Sequence, residues 1–233
     1  MNKQTHSARG FSLVELLIGT ILFTIITGIA FSLLMSAQLR YQGESTVTEA
    51  FQQANVALDQ IVRDIHTAGY PPMSSFSAAA ASGNPYGYAL PFAWTPSYPG
   101  TPCIVGSTCT VPGQNDLIVE ADIGDGQGVQ WIRYSLQGTT LMRGKTPKGP
   151  GDPVGATNSS LAPYLDNVMN GNNSLPIFAY TFDNTTPPPP SQPSYIREVN
   201  ITLIVQGAQP DPQTGQFRTI TMTGQAVRFN PSQ

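Results

Sequence analysis

With 233 residues, 11 basic and 14 acidic side chains and only 11% of positions charged, the chain is long enough for one large domain or for an ordinary domain plus a separate segment. The formal charge of −3 leaves no basic surplus to bind nucleic acid by counterion release, so no nucleic-acid partner is expected. Two cysteines and two histidines, with His6 set aside for the reason given below, exclude a zinc site of the usual ligand count, and a Ser-His-Asp constellation would have to use His66, which has no nucleophile motif near it. Composition argues against a hydrolytic or metal enzyme, and no cofactor is expected.

The amino-terminal ten residues, MNKQTHSARG, are polar, with Lys3 and Arg9 as their full charges. From Leu16 to Leu39 no charged residue occurs. At 1.5 Å per residue a helix over those positions reaches about 36 Å, more than the hydrocarbon core of a bilayer. A secretory signal peptide would need small residues just before a cut placed after the apolar run. Met35 and the residual Leu33-Leu34-Met35 spoil the available sites after Ala37 and Ser32. An ordinary membrane anchor leaves Glu15, at the edge of the apolar run, unexplained, and a buried core helix is rarely apolar all round for so long.

The string Gly10-Phe11-Ser12-Leu13-Val14-Glu15 resembles the prepilin cleavage site of type IV pilins and pseudopilins. The resemblance implies cutting after Gly10 by a prepilin peptidase, methylation of the new Phe11 amine, and retention of the membrane helix on the mature protein. His6 then leaves with the leader. A carboxylate in a membrane helix is costly and generally has a partner. Cleavage would create a positive amine on Phe11, one helical turn from Glu15. The family resemblance places that pair between neighbouring subunits of a growing fibre, which makes Glu15 an assembly residue.

Beyond the membrane the helix is expected to continue. Val47, Phe51, Ala54, Leu58, Ile61, Ile65 and Ala68 recur at alternating spacings of four and three, while Glu44, Glu49, Asp59, Arg63 and Asp64 fall off that stripe and are expected in solvent. The stripe fits either a coiled-coil partner or a sheet in the same chain, and the sheet is favoured because a β region follows that needs a cover. His66 is expected to cap the helix or face solvent. Gly69 and the pair Pro71-Pro72 end the helix. Arg63-Asp64-Ile65 with Ala68-Gly69-Tyr70 resembles the helix end of PilW-type minor pilins.

All 21 prolines lie at or beyond Pro71, and Gly and Pro make 38 of the 164 residues from Tyr70 onward. This rear portion reads as a mostly antiparallel β domain with strands at 116–121, 129–136, 139–143, 177–182, 196–205 and 218–228. The fold class expected is α+β: a long amino-terminal helix packed on a β-sheet head. The divisions expected are a leader over 1–10, a membrane or fibre-core helix over 11–39, an amphipathic helix over 40–69 and a loop-rich head over 70–233. Residues 71–115 and 144–175 show few strand signals.

An exported head favours a disulfide between Cys103 and Cys109 over two unpaired thiols. Glu120, Asp122 and Asp125 form a weak candidate calcium site, since some pseudopilins bind calcium. EF-hand spacing is absent, though, and a turn after a strand explains the same residues. The resemblance implies a structural subunit, a minor pilin of a type IV pilus, with a type II secretion pseudopilin of the J type as the alternative. The partners implied are other pilins through the amino-terminal helix, the prepilin peptidase and the inner-membrane assembly platform. The chain would sit in the bacterial inner membrane before assembly, then in a surface pilus or periplasmic pseudopilus. A membrane-anchored enzyme or binding module is the rival class, and it lacks a visible catalytic cluster.

Overall fold

The computed structural model of the protein describes residues 12–93, 113–183 and 193–229. Helix α1 runs unbroken from Leu13 to Thr67, 55 residues without a proline. Every residue from Ser12 to Gln42 is exposed, and Gly43 is the first buried position. The helix ends where Gly69 turns the chain with φ 81°, and its N–H donates to Glu120 O at 2.8 Å. A backbone in the left-handed region suits a residue without a Cβ.

After α1 comes a short helix, α2 (Ala78–Gly83). It is followed by strands β1 (Asp116–Asp122), β2 (Val129–Gln137) and β3 (Thr140–Pro147), helix α3 (Pro153–Thr157) and strand β4 (Ala162–Leu165). Strands β5 (Phe178–Phe182), β6 (Ile196–Gln206) and β7 (Thr219–Val227) complete the order. The strands form two antiparallel sheets, β1-β2-β3-β4 and β5-β6-β7, joined by a bridge between Val168 and Val205. Near that join the buried Asn170 side chain imitates a strand, accepting from Ile204 N and donating to Thr202 O, each at 2.8 Å. The layout is the expected α+β arrangement of a long apolar helix on antiparallel sheets.

The lower part of α1 packs on both sheets. Ala50, Ala54, Ala57, Leu58, Ile61 and Ile65 enter one core with Leu117, Val119, Ile132, Phe178, Val199, Ile201 and Leu203. Burying each of the larger aliphatic side chains contributes about 1.5–3 kcal/mol. The alanines let the helix approach closely, and Gly224 of β7 leaves room for Leu58, whose Cδ1 would lie 2.8 Å from a Cβ there.

The stripe is therefore displaced from its expected course in its first turns. Phe51 is exposed and Val47 half-buried, because Gly43 and Ala50 occupy the contact face instead. From Ala54 onward the expected positions are buried. His66 is half-buried with its ring 4.4 Å from that of Phe229.

Asp64 corrects the expectation of a solvated residue. It is 3% exposed, accepts from Tyr134 Oη at 2.5 Å and Gln60 Nε2 at 2.7 Å, and pairs with Arg143 Nη2 at 2.8 Å. Burial, followed by the Asp64 charge, pushes the Tyr134 hydroxyl well above the ordinary tyrosine value, so it stays protonated and donates. Burial alone would lower Arg143, but its contacts with the Tyr134 oxygen and the Asp64 carboxylate outweigh it and hold the guanidinium above its ordinary value.

Candidate functional site

The site that sequence and fold bring forward is the free half of α1. Gly10 and Phe11 lie outside the described residues. Glu15 stands in the first turn of α1, fully in the open, and makes no ion pair among the described residues. A carboxylate there is favoured by the unpaired N–H groups and the positive end of the helix dipole.

The surface above Glu15 is apolar on every side. Leu13 through Leu39 includes Leu22, Phe23, Ile26, Phe31 and Leu33, each more than half exposed. Two of its hydroxyls are satisfied within the helix. Thr20 Oγ1 donates to Leu17 O at 2.9 Å and Thr24 Oγ1 to Thr20 O at 2.8 Å, so these side chains carry no unmet donor into an apolar medium. Among the described residues this is the one helix long and apolar enough to cross a membrane, and none of its apolar window is buried against the head. From Leu13 to Gln42 the free helix is about 45 Å long. Chemically it offers a lipid-soluble rod with one carboxylate near its amino end.

The head carries the three carboxylates considered for calcium, and the fold sends them apart. Glu120 points to the face of sheet one opposite α1 and is completely buried. There its Oε2 is 2.9 Å from Lys148 Nζ, and it accepts from Trp131 Nε1 at 2.9 Å and Leu90 N at 2.9 Å. Asp122 closes the turn after β1 by accepting from Gly124 N at 2.9 Å. Asp125 accepts from Gln130 Nε2 at 2.7 Å and Gln127 N at 3.1 Å and pairs with Lys145 at 3.1 Å. The hydrogen bonds from Gln130 and then Gln127, with Lys145 beside them, hold its carboxyl below the ordinary value. Among the described residues no three His, Cys, Asp or Glu converge on a point where a metal could sit. Cys103 and Cys109 lie outside the described residues.

Sequence reasoning missed the polar cluster on that same far face. Arg133 grips Asp116 with two nitrogens, at 2.9 and 2.5 Å, and reaches Val154 O and Asn158 Oδ1 of the α3 region at 3.1 and 2.6 Å. The available signal was that β1 and β2 are buried on both faces, so a charge inside either strand must be paired.

Comparison with curated proteins and with solved structures gives no match. Residues 5–31 match the family described as the prokaryotic N-terminal methylation motif, which spans the Gly10–Phe11 bond, Glu15 and the first turns of α1. That motif, opening an exposed apolar helix whose far end lies on antiparallel sheets, supports a type IV pilin-like protein and fits a membrane-anchored one.

Proposed function

We propose that the chain is a minor structural subunit of a type IV pilus, cut between Gly10 and Phe11, methylated on the Phe11 amine, and held in the inner membrane by residues 11–39 until it enters the fibre. The observation that carries the reading is the free half of α1. It is some thirty residues of apolar helix that the head leaves uncovered, and the methylation motif runs into its first turns. A rod of this kind is stable in lipid or packed against other such rods, and a fibre core of neighbouring subunits supplies the second environment. Glu15 would then meet the Phe11 amine of a neighbour. The head, from Gly43 onward, would face the periplasm before assembly and the fibre surface afterward.

The Ala68-Gly69-Tyr70 helix end and the large head favour a pilus subunit over a J-type secretion pseudopilin. A membrane-anchored enzyme would need a polar catalytic cluster, whereas the buried charges described above are committed to ion pairs. The deciding experiment deletes the gene and scores surface pili and protein secretion side by side. Loss of pili with secretion intact is expected. Loss of secretion with pili intact would assign the chain to a pseudopilus, and neither loss would return it to a plain membrane anchor.

A further inference from the structure

Where α1 leaves the head, the loop between β6 and β7 meets it. Gly43 is the first buried residue of the helix, and a Cβ built on it would lie 3.5 Å from Pro212 Cδ and 3.7 Å from Asp211 Cγ. The loop closes on itself twice: Asp211 N donates to Gln216 O at 2.8 Å, and Gly207 N to Arg218 O at 2.9 Å. Gly207 stands beside Thr46, whose Oγ1 would be 3.9 Å from a Cβ there. Gln216 and Phe217, between these two ties, therefore stand at the level of Gly43 to Thr46. The turn after β4, at Asp166 and Asn167, borders Glu49 and Gln53 instead, about 9 Å or more further along the helix.

Arg40 is the first charge after the apolar run and, with α1 taken as the membrane span proposed above, marks the bilayer boundary. Gly43 follows by three residues, about 4.5 Å, and Thr46 by about 9 Å. The headgroup layer of one leaflet is roughly 5–7 Å deep. The loop is thus held in or directly against that layer. The apolar run, at about 36 Å, also exceeds the hydrocarbon core, and a span of excess length leans. A lean toward the loop would press it into lipid.

The chemistry of the loop suits that medium. Gln209, Gln213, Thr214, Gln216 and Phe217 are exposed and uncharged. The one acidic residue of the loop, Asp211, is buried and paired with Arg218. On the helix, Arg40 and Glu44 are opposite charges one turn apart, so the surface at this level is close to neutral. An exposed aromatic ring among amides fits the bilayer interface, where aromatic side chains anchor. Lipid is already the medium of the helix that the loop touches, so no additional partner is needed to cover Phe217. We propose that the β6–β7 loop is a docking surface for lipid headgroups: Phe217, with Gln213 and Gln216, settles into the headgroup layer and fixes the direction in which α1 leans.

The test uses the full-length chain reconstituted in phosphatidylcholine vesicles, with and without lipid brominated in the upper acyl chain, which quenches nearby tryptophan. Three variants are compared with the unaltered chain, whose two tryptophans give the background. Ile26→Trp reports the span itself. Thr223→Trp reports the exposed face of β7 beside Gly224, which accommodates Leu58, about 22 Å beyond Gly43. Phe217→Trp is expected to lose about half of its added emission to the brominated lipid, and Thr223→Trp none. Protease resistance shows whether Phe217→Trp is folded; if it is not, Gln213→Trp replaces it with the same expected result. Quenching at Ile26→Trp with none in the loop, or quenching equally strong at positions 217 and 223, would overturn the proposal and leave the span standing. No quenching at Ile26→Trp would overturn the span, and the proposal with it.

Discussion

The Tyr134 hydroxyl donates to Asp64 Oδ2 at 2.5 Å, which ties the last turn of α1 to the middle of β2 across 70 positions of sequence. Arg143 of β3 closes the triangle, reaching Tyr134 Oη at 2.9 Å and Asp64 Oδ2 at 2.8 Å. Removing the hydroxyl with Tyr134→Phe leaves the ion pair in place and is expected to cost about 1–3 kcal/mol. Asp64→Ala leaves a half-buried guanidinium without its carboxylate. The expected cost is about 3 kcal/mol, the low end for a broken buried pair, because Arg143 retains some solvent. Urea unfolding of the full chain in detergent measures both, and a Tyr134→Phe effect larger than that of Asp64→Ala would contradict the triangle.

A second prediction concerns Glu120 and Lys148, both wholly inside the head. Lys148→Met is expected to destabilise by about 3–5 kcal/mol, since it strands a carboxylate where water cannot reach it. Glu120 is thereby unavailable to a cation, and Asp122 and Asp125 are occupied by their own turns. Millimolar calcium is therefore expected to leave the thermal midpoint of the full chain unchanged, and a rise of several degrees would show that these carboxylates rearrange around the ion.

Gly144 supplies a third. A Cβ at this position in β3 would lie 2.8 Å from the backbone C and O of Ser160, so the turn after α3 has no room to yield except by moving backbone. Gly144→Ala is expected to cost about 1–3 kcal/mol. Gly138, with φ 63° and open space around it, provides the contrast, because alanine there meets backbone strain without a clash. Denaturant midpoints for the two variants separate the causes when the folded structures are checked by exchange at Ser160.

The loop after β6 braces α1 where it leaves the head, and Asp211 organises that loop. Hydrogen bonds from Gln213 N and then Thr214 N, with Arg218 adjacent, hold the Asp211 carboxyl below 3.8. A carboxyl depressed in the fold contributes stability above its unfolded value, and the contribution is lost as pH falls below about 3.8. Asp211→Asn is expected to flatten the acid limb of the stability profile over that range and to speed exchange around Gly43, which rests on Pro212 and Asp211. A variant with an unchanged acid limb would show that other carboxylates set it.

The fifth prediction belongs to assembly. Glu15→Val removes an exposed charge from an apolar helix and is expected to leave membrane insertion intact. Losing a pair with a neighbour's Phe11 amine should lower incorporation by about tenfold, the equivalent of 1.4 kcal/mol. The ratio of variant to wild-type chain in sheared fibres, at matched membrane levels, reads the effect. Equal incorporation would remove Glu15 from the assembly contact.

Much of this architecture was legible because its signals are periodic. The strand signals at 129–136, 139–143 and 196–205 and the apolar run above Glu15 each predicted an element that the fold contains. Strand β4 escaped because four residues including Pro163 carry no period, and it exists only by pairing with β3. Asp64 escaped for a different reason, and so did the burial of Glu120, which the sequence offers as a turn residue or a weak calcium ligand. A charged letter inside an amphipathic pattern reads as solvent-facing, and only the arrival of Arg143 or Lys148 from far along the chain makes its burial tolerable. Phe51 was misplaced because small residues at Gly43 and Ala50 rotate the contact face away from it, an effect of close approach that hydrophobicity alone does not encode.

The uninterrupted course of α1 has a mechanical consequence. Its contacts with the head extend from Gly43 to Ala68, about 38 Å along the axis, and no break or hinge residue separates them from the apolar half. Tension applied at the amino end therefore reaches all of those contacts together, sliding the helix along the sheets instead of peeling it from one end. The Asp64 triangle, at the distal end of the seam, shares that load from the start, through short charged bonds that tolerate little displacement.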